Sequence, residues 1–220
     1  MNTVLLEATD NMPTAGPVPQ VREPVPRRRE VLKAVVRGIA TLLVAPALLS
    51  FWLRARLLGR DRALEASSQM LSLIPGVLGE YLRRAFFSRT LAFCHPTATI
   101  GFGVLFSKAG ARIGANVYIG PRCHLGLVHL EHDVLLAAGV HVTSGTQSHG
   151  FANLDQPIRT QPGVQQMVRI GEGTWVGSAA VIMADVGRGT VVGAGAVVAK
   201  PLPDLVLAAG VPAKVIRNRA

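Results

Sequence analysis

Ile170-Gly-Glu-Gly-Thr-Trp175, Val176-Gly-Ser-Ala-Ala-Val181, Ile182-Met-Ala-Asp185, Val186-Gly-Arg-Gly-Thr-Val191, Val192-Gly-Ala-Gly-Ala-Val197 and Val198-Ala-Lys-Pro201 form one uninterrupted stretch. An aliphatic residue, usually followed by Gly or Ala, opens each block, and all but the third and the last of these blocks are six residues long. A helix would space apolar residues by threes and fours, and an ordinary strand would alternate by two within one segment. A period of six with a small second residue is the signature of a parallel β-helix. Each hexad supplies a short strand and a tight corner, and three hexads close one triangular coil. The opening aliphatic points inward and stacks on its equivalent one coil away, at the ~4.8 Å spacing of paired strands.

The same pattern extends upstream, with inward positions expected at Ile100, Phe106, Ile113, Ile119, Leu125, Leu130, Leu136 and Val142. The spacing slips to seven at Phe106–Ile113, to five at Leu125–Leu130 and to four at Ile182–Val186, so corners there should bulge or shorten. Residues 144–167 have no such period. An aperiodic loop of this length within a compact fold is commonly functional, and this one should project from one corner and embrace a neighbouring subunit.

Three motifs carry a family resemblance: Trp175-Val-Gly-Ser178, Val192-Gly-Ala-Gly-Ala-Val-Val-Ala-Lys200 and Gly210-Val-Pro-Ala-Lys-Val-Ile-Arg217. Over residues 65–219 the chain resembles the hexapeptide-repeat acyltransferases, in particular the galactoside, maltose and colanic-acid or capsule-type O-acetyltransferases. The resemblance implies a mainly β fold, a left-handed parallel β-helix, with the active site between the subunits of a homotrimer. It also implies an O-acetyltransferase that uses acetyl-CoA as co-substrate and acts on a sugar hydroxyl of a polysaccharide or lipid-linked glycan precursor. No metal is expected.

Acyl transfer from a thioester to a hydroxyl needs a base to take the hydroxyl proton and a donor, commonly a backbone N–H, for the tetrahedral oxyanion. Histidine suits the first task because it is largely neutral at pH 7. His149 matches the family's catalytic position, and Asp155 would orient it or bind the acceptor. For coenzyme A the resemblance implies Trp175 as a wall of the thioester or sugar pocket. Ser178, Ala194, Ala199 and Lys200 would lie along the pantetheine arm, with Lys214 and Arg217 at the phosphates. The four-residue step at Ile182–Val186 lies near this groove.

Other polar residues read differently. Cys94 and Cys123 are too few for a disulfide framework and have no metal-type spacing; Cys123 falls among inward positions. His141 should face outward. His124 and His129, five apart, resemble the spacing of two zinc ligands in γ-class carbonic anhydrases. A catalytic zinc needs three protein ligands, and no histidine between Thr97 and Arg122 supplies a third.

The 220 residues carry 23 Lys and Arg against 13 Asp and Glu, with 5% aromatics and 23 glycines. Few rings and many aliphatics suit a narrow solenoid interior. The excess charge gathers at the N-terminal side, where ten Lys/Arg between Arg22 and Arg62 face Glu23, Glu30 and Asp61. Residues 1–26 form a proline-rich tail expected to be disordered, without the order of a signal peptide. Residues 27–93 form a basic and apolar helical region. Within it Gly38–Leu53 is a charge-free run, short for a span of about 20 residues, interrupted by Pro46 and flanked on both sides by arginines. A kinked helix dipping into one leaflet fits the positive-inside preference, so residues 27–62 are expected to bind an anionic membrane surface at the cytoplasmic face of the inner membrane. No nucleic-acid motif accompanies the charge. Residues 63–93 should be helical, broken near Ser72–Gly76, and lie at the interface or cap the open end of the solenoid. The solenoid domain itself should occupy residues 94–220. Three other readings stay open: a serine O-acetyltransferase-like enzyme acting on a soluble acceptor, a γ-carbonic-anhydrase-like zinc enzyme, and a non-catalytic membrane scaffold.

Overall fold

A computed structural model describes residues 27–219, with side chains from Ala34 onward; the proline-rich tail lies outside the described residues. Among the described residues three helices precede the strands: α1 (Arg27–Leu58), α2 (Arg60–Ser72) and α3 (Gly76–Thr90). Sixteen short strands follow and form three sheets. Sheet A contains β1 (Phe93–Cys94), β4 (Arg112–Ile113), β7 (Val128–Leu130) and β10 (Val168–Ile170). Single bridges extend it through Val186 to Leu202. Sheet B runs β2 (Thr99–Ile100), β5 (Tyr118–Ile119), β8 (Leu135–Leu136), β11 (Trp175–Val176), β13 (Val191–Val192), β15 (Val206–Ala209) and β16 (Lys214–Asn218). Sheet C runs β3 (Leu105–Phe106), β6 (His124–Leu125), β9 (His141–Val142), β12 (Val181–Ile182) and β14 (Val197–Val198). Successive strands step from A to B to C and round again, and all pair in parallel except β16, which folds back antiparallel on β15 and closes the stack.

Most strands are two residues long, the first facing out and the second in. The expected inward ladder is buried throughout, from Ile100 to Val198. Each such aliphatic side chain contributes roughly 1.5–3 kcal/mol when removed from water. The first coil begins at Phe93–Cys94. Where the hexad slips is the more informative result. From A to B and from B to C the step between inward residues is six in every coil, as in Ile113–Ile119–Leu125 and Ile170–Val176–Ile182. From C back to A it is seven (Phe106–Ile113), five (Leu125–Leu130) or four (Ile182–Val186, Val198–Leu202). The long loop also leaves from this edge, between Val142 and Val168. All the irregularity lies along one edge of the prism.

The helices α2 and α3 cap the open N-terminal coil. The first coil's backbone would otherwise leave donors and acceptors unpaired. Ser68 Oγ accepts the N–H of Phe106 at 2.8 Å, Asp61 Oδ1 accepts that of Ala109 at 2.9 Å, and the Ser72 carbonyl accepts that of Gly103 at 3.0 Å. Buried Arg83 donates to the carbonyls of Ile100 at 2.9 Å, Ile74 at 2.7 Å and Leu71 at 3.3 Å. Burial lowers its pKa from the usual arginine value, opposed by the charge of Glu80. The rings of Phe51, Phe86, Phe87 and Phe106 pack edge to face or tilted in sequence, with centroids 4.7–5.8 Å apart, and continue the core into the cap.

The apolar run is helical throughout. Helix α1 continues through Pro46 to Leu58, and the chain reverses at Gly59, whose φ of 87° suits glycine. Losing one backbone donor at Pro46 does not end a helix whose Ala40, Val44 and Phe51 are anchored in the core. Ala34–Leu58 spans 25 residues and is long and apolar enough to cross a membrane, a property that buried helices and signal sequences share. Its Leu42, Leu43, Leu49, Leu53 and Leu57 are exposed.

Candidate active site

The candidate His149 loop leaves the solenoid at the irregular edge. It is closed by its own backbone: Gln166 N–H donates to the Ser144 carbonyl at 2.9 Å and Val164 N–H to that of Gln147 at 2.8 Å. Ser144 is buried, and its Oγ accepts the N–H of Leu127 at 2.9 Å, which pins the loop base to the coil below. At the outer end of this stem the returning chain crosses directly against His149. A β-carbon on Gly163 would lie 2.2 Å from the Ser148 carbonyl oxygen and 2.6 Å from the His149 nitrogen. One on Gly150 would lie 2.5 Å from the Pro162 carbonyl oxygen. The His149 backbone is thus held by contact while its side chain stays exposed.

Beyond the crossing, buried Gln161 organises the tip. Its Nε2 donates to the carbonyls of Asn153 at 2.7 Å and Gln156 at 2.9 Å, and its Oε1 accepts the Asn153 N–H at 3.0 Å. Asp155 is exposed, its N–H bound to Asn153 Oδ1 at 2.9 Å. Among the described residues no hydrogen bond or ion pair joins Asp155 to His149. The loop also exposes Phe151, Leu154 and Ile158.

Beside the loop base is a cleft of about 390 Å³, lined by Thr146, Gln166 and Met167 on one side and by Met183, Asp185 and Ala199 on the other. The four-residue corners create it: two residues fewer than a hexad recess the edge next to the loop. The sequence displayed these short steps but did not show that they adjoin the loop. Gly163, Gly150 and Gln161 were missed entirely, and glycines in an aperiodic stretch were the only available signal.

The remaining expected cofactor residues are spread over the prism. Ala199 lines the cleft and Lys200 is exposed at the same edge. Ser178 and Ala194 stand at the opposite edge of sheet C on successive coils, where the Gly195 N–H donates to the Ser178 carbonyl at 2.8 Å. Trp175 faces out from sheet B, half exposed and between Leu135 and Val191 in register. Lys214 and Arg217 are exposed on β16 of that sheet. One chain does not gather these residues into a single pocket.

Other candidates separate cleanly. His124 and His141 meet edge to face on the outer face of sheet C with ring centroids 6.0 Å apart. His129 sits on sheet A between Arg112 and Arg169 in register. His124 and His129 therefore occupy different faces, and one ion cannot take both from one chain. Burial and the neighbouring arginines lower the His129 pKa against the pull of Glu131. Burial also opposes ionisation of Glu131. Its hydrogen bonds from Arg169 and the Glu172 N–H outweigh this and hold the carboxyl below its usual range. Burial raises the thiols of Cys94 to about 12 and Cys123 to about 11, so both stay protonated and poor nucleophiles near neutral pH.

Comparisons with known proteins agree with this architecture. Residues 110–144 and 167–200 match the family described as the hexapeptide repeat of succinyl-transferase; the gap between them is the loop. Among solved structures, a maltose O-acetyltransferase from Clostridium difficile 630 is similar at a TM-score of 0.62 and 17% identity, over 73% of this chain and 88% of the other. A galactoside acetyltransferase in complex with coenzyme A is similar at a TM-score of 0.50 and 22% identity, over 73% and 80%. No curated protein matches by sequence. At these identities the likeness is one of fold, and the chain is a hexapeptide-repeat β-helix.

Proposed function

We propose that the protein is an acyl-CoA-dependent O-acyltransferase, with acetyl-CoA as donor and a sugar hydroxyl of a polysaccharide or lipid-linked glycan precursor as acceptor. The observation that carries this reading is a solenoid interrupted once, by a loop that fixes the His149 backbone and leaves its side chain exposed, with a cleft at the loop base that Ala199 lines. The neutral imidazole takes the acceptor's hydroxyl proton as that oxygen attacks the thioester carbonyl. A backbone N–H holds the resulting oxyanion. Collapse of this tetrahedral intermediate expels the coenzyme A thiolate, and the imidazolium returns the proton to it. The buried thiols favour this direct transfer over an acyl-cysteine route.

The expected cofactor residues lie on two faces of a convex prism, so a single chain offers no enclosed groove. A homotrimer supplies one: the loop of one subunit, with Phe151, Leu154 and Ile158 exposed, covers the neighbour's coils. Coenzyme A then runs along Ser178, Ala194, Ala199 and Lys200, with Trp175 at its thioester end and Lys214 and Arg217 at its phosphates, where cations suit a polyanion. Asp155, unbonded to His149, takes the acceptor side. The exposed leucines of α1 and the adjoining arginines support a location at the cytoplasmic face of the inner membrane, within reach of a lipid-linked acceptor. The test is mass spectrometry of surface glycans from cells with wild-type protein, with His149→Ala and without the gene. An acyl group present only with the wild type supports the reading, and one retained by the alanine variant refutes the base assignment.

A further inference from the structure

Between α1 and α3 lies a cavity of about 150 Å³ that acyl transfer does not use. Arg37, Thr41, Tyr81, Arg84, Ser88 and Arg89 line it, and among the described residues no carboxylate does. Glu80 reaches Arg84 from outside the lining at 3.7 Å. Arg84 lies over the Tyr81 ring, 4.5 Å from its centroid, and its Nη1 donates to the Ala98 carbonyl at 3.3 Å. Arg89 Nη1 donates to the Ala85 carbonyl at 2.8 Å and to Ser88 Oγ at 3.2 Å. Five N–H donors on each guanidinium leave most of this capacity unused.

Arg37 gives the decisive sign. Its Nε is buried and has no hydrogen-bond partner, which holds for no other buried side-chain nitrogen or oxygen among the described residues. A buried charged donor without an acceptor is costly and calls for one. Three arginines converging on a small cavity need a compact group that carries negative charge and only acceptor oxygens, and a phosphate answers both needs. Position adds to the argument. Arg37 immediately precedes the uncharged run of α1, and Leu42 and Leu43, within two turns of it, are 75% and 60% exposed. A phosphate held here sits where the apolar helix surface begins.

We propose that Arg37, Arg84 and Arg89 form a binding site for a phosphate group, carried on a lipid headgroup or free. The proposal is independent of the acyl-transfer reading, and its test measures no catalysis. Full-length protein is assayed by flotation with phosphatidylcholine vesicles lacking or containing phosphatidylglycerol, and separately by phosphorus NMR line broadening of inorganic phosphate in detergent. Arg37→Gln/Arg89→Gln is compared with Arg56→Gln/Arg62→Gln, which removes equal charge outside the cavity. The cavity pair should weaken the phosphatidylglycerol-dependent binding about tenfold or more, as expected for loss of charged hydrogen bonds. The control pair should change it by no more than about threefold through the surface potential alone. Broadening of inorganic phosphate that the cavity pair abolishes, without vesicle preference, identifies free phosphate as the ligand and also supports the site. Equal losses in both pairs overturn it, as do undiminished binding in the cavity pair and an absence of both vesicle preference and line broadening in the wild type.

Discussion

Replacing Gly163 by alanine tests whether the loop crossing, rather than the mere presence of a histidine, makes the site. The new β-carbon would lie 2.2 Å from the Ser148 carbonyl oxygen, 2.3 Å from its carbon and 2.6 Å from the His149 nitrogen. All three are backbone atoms, so no rotamer change relieves the contact. The stem must open by about 1 Å, and a misplacement of that size at a reacting group can cost on the order of 100-fold in rate. The overpacking strain, about 1–3 kcal/mol in a closed core, is relieved here by outward movement of a surface loop. The coil stack should therefore unfold within about 1 kcal/mol of the wild type. Gly103→Ala is the converse control. With φ at 74° and a flexible neighbour in the Arg122 side chain, it should cost about 1–2 kcal/mol of stability through the left-handed conformation and leave turnover intact. The assay is release of the coenzyme A thiol from acetyl-CoA with a panel of p-nitrophenyl glycosides as acceptors, alongside urea unfolding followed by circular dichroism. Gly163→Ala turnover within about threefold of the wild type would refute the argument that the crossing positions His149.

His149→Gln should lower kcat by about 10²–10⁴-fold, the range for loss of a general base, with an unchanged oligomer by sedimentation. Arg83→Met leaves the carbonyls of Ile100 and Ile74 without the donor that Arg83 supplies. At about 1–3 kcal/mol for each orphaned group, urea unfolding should show a loss of about 2 kcal/mol or more. The depressed pKa of Glu131 means that its ionised form stabilises the fold above the unfolded carboxyl value of about 4.3. That contribution disappears as pH falls below this value towards the folded pKa, so Glu131→Gln should flatten the acid limb of a stability-against-pH curve. Inserting Gly-Ala after Ala184 restores the six-residue step between Ile182 and Val186 and fills the cleft; calorimetry should show weaker coenzyme A binding by a still folded protein.

The period of six made the inward ladder legible from Ile100 to Val198 because a narrow prism accepts aliphatic side chains only where the corners deliver them. The sequence also displayed each slip in that period, but their common location became visible only after closure. At the A–B and B–C corners the glycine that follows the inward residue lies against the next coil's backbone: a β-carbon on Gly171 would come within 2.4 Å of Arg188, and one on Gly177 within 2.5 Å of Ala194. Those corners cannot change length without disturbing their neighbours. The C–A edge carries every slip and the loop itself, and by tolerating changes of length it also became the place where a cleft and an exposed histidine could be built. The cap was harder to read because its determinant is chemical rather than periodic. Arg83, within a run resembling an amphipathic surface helix, turns inward, since the first coil's carbonyls have no preceding coil to supply donors. The spread of Ser178, Lys200, Trp175 and Arg217 over two faces was equally hidden, because a linear repeat does not reveal which corners share an edge. The same closure that buries the ladder points these groups away from one another, and only a second prism set alongside could bring them to one ligand.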